Sequence, residues 1–206
     1  MQAPSRDRRG PALLALCLAF VICVLPAGAL EAEYWIAENA SAYHADYTLT
    51  NASGYTWWDL GLLGERIPLT VSAVTLRSVN GTCDPCPFTA KPPNEVTFDR
   101  GDYVLSFDGT IHNNQLLVDF ETPSSIRVHV PKGLDVRNPL LGVVSPEGNV
   151  TEELAGILIS WNNTRMIECR MYDPFRETLL TSFLTFWAVA AVVLLFPFLA
   201  MRRKKG

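Results

Sequence analysis

The chain has 206 residues, 49% of them hydrophobic, with 17 basic and 21 acidic side chains and a formal charge of −4. The first 29 and last six residues hold seven of the basic side chains and one of the acidic ones, which leaves 10 basic against 20 acidic residues in between. A stretch that acidic lacks the clustered Lys and Arg that grip a phosphate backbone, which excludes nucleic acid as a partner. It is roughly 150 residues long, the size of one compact domain able to bury about two thirds of its unfolded surface.

Met1 to Ala29 has the three parts of a secretory signal: Arg6, Arg8 and Arg9, an apolar core from Ala12 to Leu25, then Pro26-Ala27-Gly28-Ala29. The small-x-small pattern of Ala27-Gly28-Ala29 predicts cleavage, so residues 1–29 are a signal peptide and the mature chain starts near Leu30. Cys17 and Cys23 follow Leu16 and Ile22, whereas a lipid-modified cysteine would follow a small residue.

From residue 30 the pattern is that of strands. Tyr43, Ala45, Tyr47 and Leu49 alternate with His44, Asp46, Thr48 and Thr50, and Asn51-Ala-Ser-Gly54 supplies a turn. Leu69 to Leu76 is dense in Val, Thr and Leu and breaks at Asn80-Gly81, and Tyr103 to Phe107 alternates up to Asp108-Gly109. Gln115 to Phe120, Ile126 to Val130 and Ile157 to Trp161 repeat the same length, the first two separated by Glu121-Thr-Pro-Ser-Ser125, and Arg165 to Tyr172 is the last strand before the apolar run. Short strands turned over at this spacing, with no amphipathic helix among them, predict a mainly β fold for residues 30–177: an antiparallel, immunoglobulin-like β-sandwich. The cysteines do not follow the usual cysteine, tryptophan, cysteine spacing, so the expected likeness is architectural. Tyr55-Thr-Trp-Trp-Asp-Leu-Gly-Leu-Leu-Gly64 reads less clearly; Trp57 and Trp58 plug the core or cover a sheet edge in preference to forming a binding face.

Three chemistries compete for Cys83-Asp84-Pro85-Cys86. A redox centre puts its first cysteine at a helix N-terminus, and Pro87, Pro92 and Pro93 forbid a long helix here. Zinc needs about four ligands, and beyond this pair only Cys169 and the scattered His44, His112 and His129 are available, so neither a metal nor another cofactor is expected. A structural disulfide remains. Either Cys83 pairs with Cys86 and leaves Cys169 free, or one of the two reaches Cys169, closing a loop worth about 4 kcal/mol of chain entropy. The local bridge is favoured because the long one requires an approach that spacing does not establish. No Gly-x-Ser-x-Gly elbow or comparable motif marks a catalytic residue, and His129 shares with Arg127 the face opposite Ile126, Val128 and Val130.

Five acceptor tripeptides, at Asn39, Asn51, Asn80, Asn149 and Asn162, fall in or beside predicted turns and make these asparagines glycosylation candidates; turns also accumulate such residues for backbone reasons alone. From Leu179 to Leu199 no residue is charged, and at about 1.5 Å per residue this run covers the roughly 30 Å of a bilayer's hydrocarbon. Residues 178–200 are therefore the expected transmembrane helix. Arg202, Arg203, Lys204 and Lys205 have no counterpart on the other flank, which predicts a cytoplasmic C-terminus (201–206) and an N-terminus outside the cell membrane. Thr181 and Thr185, four residues apart, either bond a partner helix or return to their own helix carbonyls, the second being favoured.

This layout, with Tyr172-Asp-Pro-Phe-Arg-Glu177 set directly on the span and Leu140-Leu-Gly-Val-Val-Ser-Pro146 before it, resembles uncharacterised archaeal single-pass, membrane-anchored surface proteins. The resemblance implies location and brings no activity. The expected function is a non-enzymatic extracellular module whose partners are the bilayer and other envelope proteins, as an accessory subunit of an envelope complex. The alternative is a membrane-anchored hydrolase or thiol oxidoreductase.

Overall fold

The computed structural model describes residues 30–61 and 64–203; the expected signal peptide lies outside them. Among the described residues eleven strands precede one helix: β1 (Glu31–Ile36), β2 (Ala42–Thr56), β3 (Trp58–Leu60), β4 (Arg66–Pro68), β5 (Ser72–Ser78), β6 (Thr89–Lys91), β7 (Glu95–Thr110), β8 (Gln115–Pro131), β9 (Val143–Ser145), β10 (Asn149–Glu153), β11 (Gly156–Arg170) and α1 (Pro174–Arg203). Hydrogen bonds join nine strands in one sheet ordered β10-β11-β8-β1-β2-β7-β5, with β6 on β7 and β9 on β11; β3 and β4 form a separate hairpin.

Four of these strands are 15 to 17 residues long. Each is broken in register part-way: β2 against β7 between Leu49 and Gly54, and β11 against β8 between Trp161 and Met166. At those points the chain arches over, and the two legs of each arch lie in opposite layers. Residues 115–120 of β8 run well past the end of β1 in the hydrogen-bonded register, yet Phe120 folds back to within 5.7 Å of the Tyr47 ring on β2. The bends form a crown, and the leg ends, the turns between them and the start of α1 form a base.

The expected turns at Asn51-Ala-Ser-Gly54 and Glu121-Thr-Pro-Ser-Ser125 are thus bends inside β2 and β8. Asn51 and Asn163 take positive φ values of 53° and 56°, and the Asn51 amide donates to Asp102 Oδ1 at 2.7 Å. A short polar side chain tolerates that backbone conformation, so the residue types that mark turns serve here as bulges. The β7–β8 reversal falls instead at Asn113-Asn114, with φ of 56° and 55°, beyond Asp108-Gly109.

Between the layers lies an aromatic seam. Phe107 stands edge-on to Tyr43, Tyr47 and Trp57 with ring centroids 4.9–6.3 Å apart, and Tyr55 bridges Tyr47 and Trp57. The Tyr34 and Tyr47 hydroxyls bond each other at its centre, and burial pushes both phenols well above their ordinary pKa. Trp57 is buried and Trp58 half-buried, in keeping with core and edge cover, while Asn94 clamps the Trp57 backbone from N to O.

The packing is sandwich-like, and two features depart from the expected antiparallel sandwich of separate sheets. The layers belong to one continuous sheet because the strands arch from one into the other. And β1, which the sequence reading did not assign, pairs in parallel with β8 while lying antiparallel to β2 at the middle of the sheet. Its three inward residues, Ala32, Tyr34 and Ile36, are buried.

Candidate functional site

Six of the ion pairs among the described residues lie on the outer face of the layer formed by β1 and the adjoining legs of β2, β7 and β8. One cross-strand row reads Ser72, Asp108, His44, Trp35, His129, Leu158 over six neighbouring strands. The row behind it carries Ser106, Asp46, Glu33 and Arg127. Period-2 alternation puts these side chains outside because Tyr34, Ala45, Phe107 and Val128 occupy the inside.

Trp35, 36% exposed, is held between two imidazoles, stacked on His129 at 5.4 Å and 3° and tilted against His44 at 5.8 Å and 37°. Each imidazole is itself placed between two carboxylates. His44 Nδ1 is 2.7 Å from Asp108 and its Nε2 is 3.4 Å from Asp46; His129 Nε2 is 2.8 Å from Glu33 and its Nδ1 is 3.8 Å from Glu153. Arg77 and Arg127 add 3.6 Å and 3.7 Å contacts to Asp46 and Glu33. Asp46 Oδ1 is buried and has no hydrogen bond, although it faces His44 Nε2. The arrangement is a ribbon of three rings edged by acceptors on a flat sheet surface, suited to contact with a partner rather than to enclosing a small substrate.

A small depression of about 140 Å³ adjoins the ribbon, lined by Trp35, His129, Glu153 and Gly156, and larger ones lie elsewhere. A depression of about 320 Å³ near the base is lined by Tyr43, Asp59, Leu60, His112 and Leu116, and one of about 300 Å³ toward the crown by Tyr55, Glu95, Asp119, Phe120 and Glu121. Arg66 reaches across from β4 to Asp119 at 2.7 Å and Glu121 at 3.7 Å. No group of three or more potential metal ligands occurs among the described residues.

Cys83 and Cys86 are joined by a disulfide with Cα atoms 5.0 Å apart, beside the β5 edge where the Cys86 amide donates to Leu76 O. Cys169 sits in the second leg of β11, fully buried, and that burial pushes its thiol up to about 12. The five acceptor asparagines are all exposed. Asn51, Asn80, Asn149 and Asn162 lie toward the crown, next to Leu49, Ser78, Ser160 and Trp161 in the register, whereas Asn39 is in the β1–β2 turn at the base. Of the three histidines, His44 and His129 converge on Trp35 and His112 stays apart in the β7–β8 turn. Sequence reasoning placed Arg127 and His129 on an outer face but missed Trp35. The available signal was the alternation of Glu31, Glu33 and Trp35 with Ala32, Tyr34 and Ile36.

At the base, Tyr172 is 1% exposed and pairs backbone to backbone with Asp135, at 2.8 and 2.9 Å. α1 starts two residues later, and Pro174–Phe196 is long and apolar enough to cross a membrane, with a mean hydropathy of 2.3. Thr185 Oγ1 donates to its own helix at Thr181 O, 2.8 Å away.

The chain belongs to a family of unknown function (DUF5803). The match runs over residues 30–204, the whole domain and all of α1. No curated protein matches the chain. Among solved structures it is similar to an aminopeptidase N family protein from Idiomarina loihiensis, at 9% identity and a TM-score of 0.44, over 68% of this chain and 29% of that one. The chain thus spans under a third of that protein's length.

Proposed function

We propose that this family member is a non-enzymatic, membrane-anchored surface module that presents its Trp35 face to another envelope protein. The proposal includes a removed signal peptide at 1–29, a domain outside the cell, a single span by α1 and a cytoplasmic C-terminus. One observation carries it: Tyr172 is locked into the domain and α1 begins at Pro174, so no stalk separates the folded body from the apolar helix. A body tied to its span has one face turned to the membrane and its sheet faces turned sideways, toward neighbours in the envelope. Trp35, flanked by histidines and carboxylates, supplies the aromatic anchor and polar rim that protein interfaces favour. The exposed asparagines at the crown support an additional role as glycan acceptors.

In the competing reading, an anchored hydrolase or thiol oxidoreductase, a free thiol that acts as nucleophile has to be accessible. Cys169 is the one free cysteine among the described residues, and a buried thiol with a pKa near 12 is inert at neutral pH.

A photo-crosslinking residue in place of Trp35, used in native membranes, tests the interface, and protease added to intact cells tests the topology. The expected results are a discrete adduct from position 35 that is missing when the residue replaces Ser78, and loss of the domain with survival of a tag after Gly206. A lost tag overturns the orientation, and equal adducts from both positions overturn the interface.

A further inference from the structure

The base holds three exposed apolar side chains that the packing of the domain does not use: Leu140 at 71% exposure, Leu154 at 95% and Phe175 at 69%. They come from three separate segments. Phe175 is in the first turn of α1, Leu140 is in the loop before β9, and Leu154 is at the tip of the β10–β11 hairpin. All three stand around the point where the helix leaves the domain, since Glu152, Glu153, Gly156, Asp135, Arg137, Pro174 and Glu177 line one shared depression there.

Their positions are held. The Asn138 amide donates to the Tyr172 hydroxyl at 3.1 Å and its side chain donates to Glu177 at 3.2 Å. The same residue accepts from Leu140 N through Oδ1 at 3.0 Å and from Leu141 N and Gly142 N through its carbonyl at 3.0 and 2.8 Å. Asn138 thereby fastens the Leu140 loop to the first turn of the helix. Gly142 lies so close to the Val136 backbone that a Cβ there has no room, which keeps the loop tight. Arg137 ties Asp135 to Glu152, and so the same loop to the hairpin that carries Leu154.

The helix itself leaves the body. From Thr181 to Phe196 every residue except Ala190 is exposed. The uncharged run starts at Leu179, five residues after Pro174, which at about 1.5 Å per residue puts Pro174 roughly 7.5 Å above the hydrocarbon edge. The headgroup layer is about 5–7 Å deep on each side. A base level with Pro174 therefore sits at the outer edge of that layer, and leucines projecting from it toward the bilayer enter the headgroups, where apolar side chains are favoured.

We infer that Leu140 and Leu154 insert into the headgroup layer of the bilayer that α1 spans, so that the domain stands on the lipid surface at these two loops as well as on the helix. The inference rests on the anchor proposed above, and it commits to lipid as the occupant of this face. It deepens that reading by fixing which side of the domain is turned down. The four crown asparagines lie at the opposite end from these leucines.

The test uses the full chain reconstituted in phosphatidylcholine vesicles, non-reduced, with a polarity-sensitive fluorophore on a single introduced cysteine: Leu140→Cys, Leu154→Cys, Asn80→Cys at the crown or Val193→Cys in α1. Vesicles carry a quencher on the acyl chain either near the headgroup or near the chain end. The expected result is quenching of positions 140 and 154 by the shallow quencher, of position 193 mainly by the deep one, and of position 80 by neither. Quenching at 193 without any at 140 and 154 overturns the seating and leaves the anchor standing. An unquenched 193 overturns both. A blue-shifted but unquenched label at 154 assigns the face to protein, a second copy or a partner, and also overturns the inference. Leu140 and Leu154 make no core contact to lose, so these variants fold.

Discussion

At the crown the chain turns by means that single residues carry, whereas at the base it is held by contacts between distant segments. Asn51 and Asn163 adopt φ near +55° within otherwise extended strands, and the ladder resumes two or three residues on. The base is assembled from Asp135, Asn138, Glu152, Tyr172 and Glu177, drawn from loops, a hairpin and a helix. The contrast teaches that the arches use residues whose local backbone preference permits a bend that distant strand pairing then fixes, while the junction with the helix is built wholly from contacts between distant segments.

The seam that crown and base share should show the largest effect. Phe107→Ala empties the centre of the aromatic cluster, and we expect a loss of about 3–5 kcal/mol in denaturant unfolding of the full chain in detergent. A loss under about 1 kcal/mol would mean that the layers are held by the arches rather than by the seam. Next, Asn138→Ala removes the side-chain bonds to Glu177 and Leu140 and should cost about 1–2 kcal/mol. Hydrogen exchange should then rise at Tyr172–Glu177 and stay unchanged around Asn51 and Asn163; a rise at both ends would erase the distinction between them.

At the crown, Asn163→Ala should cost about 1 kcal/mol because alanine resists positive φ, and Asn163→Gly should restore or exceed the native value. If glycine is no better than alanine, the Asn163 side chain rather than its backbone shapes the bend. A smaller, pH-dependent effect belongs to the base. The hydrogen bond from Arg137 holds the Asp135 carboxyl below its ordinary pKa. Its contribution is therefore complete above the unfolded value of about 3.9 and is lost as pH falls through the lower folded value. The stability difference between the native chain and Asp135→Asn should be constant from about pH 6 to 5 and shrink below about pH 4; a difference that grows on acidification would reverse the assignment. The last test carries no stability change: glycopeptide mapping should find Asn51, Asn80, Asn149 and Asn162 occupied more fully than Asn39, which sits at the base, the end proposed to face the membrane, with its side chain bonded to Ser41.

Much of the domain was legible wherever one residue's preference decided the outcome. Tyr43 to Leu49 and Ile126 to Val130 alternate cleanly, and each keeps one face in the core. The Asn-rich and Pro-containing stretches were recognised as departures from extended chain, yet the same residues serve a reversal and a bulge equally well. Whether the strand comes back beside itself or bends and continues depends on what it meets beyond the bend, and for β8 that is the outer half of β11. β1 was not predicted because the outward Trp35 stands between Tyr34 and Ile36, so its last three residues read as an apolar run instead of an alternation. The Trp35 site shared that fate, since its rings come from β1, β2 and β8 and meet only through the sheet order.

By itself, the amino-acid sequence determined the mainly β character of residues 30–177 and the one helix apolar enough to cross a membrane, because periodicity and a long uncharged run are summed along contiguous residues. Only the tertiary structure decided that four strands arch from one layer into the other, that β1 inserts between β8 and β2, and that Asn138 binds the helix to its base. Each of those outcomes depends on pairing between residues tens of positions apart, and the energy of such a pair is absent until the sheet has brought its two members together.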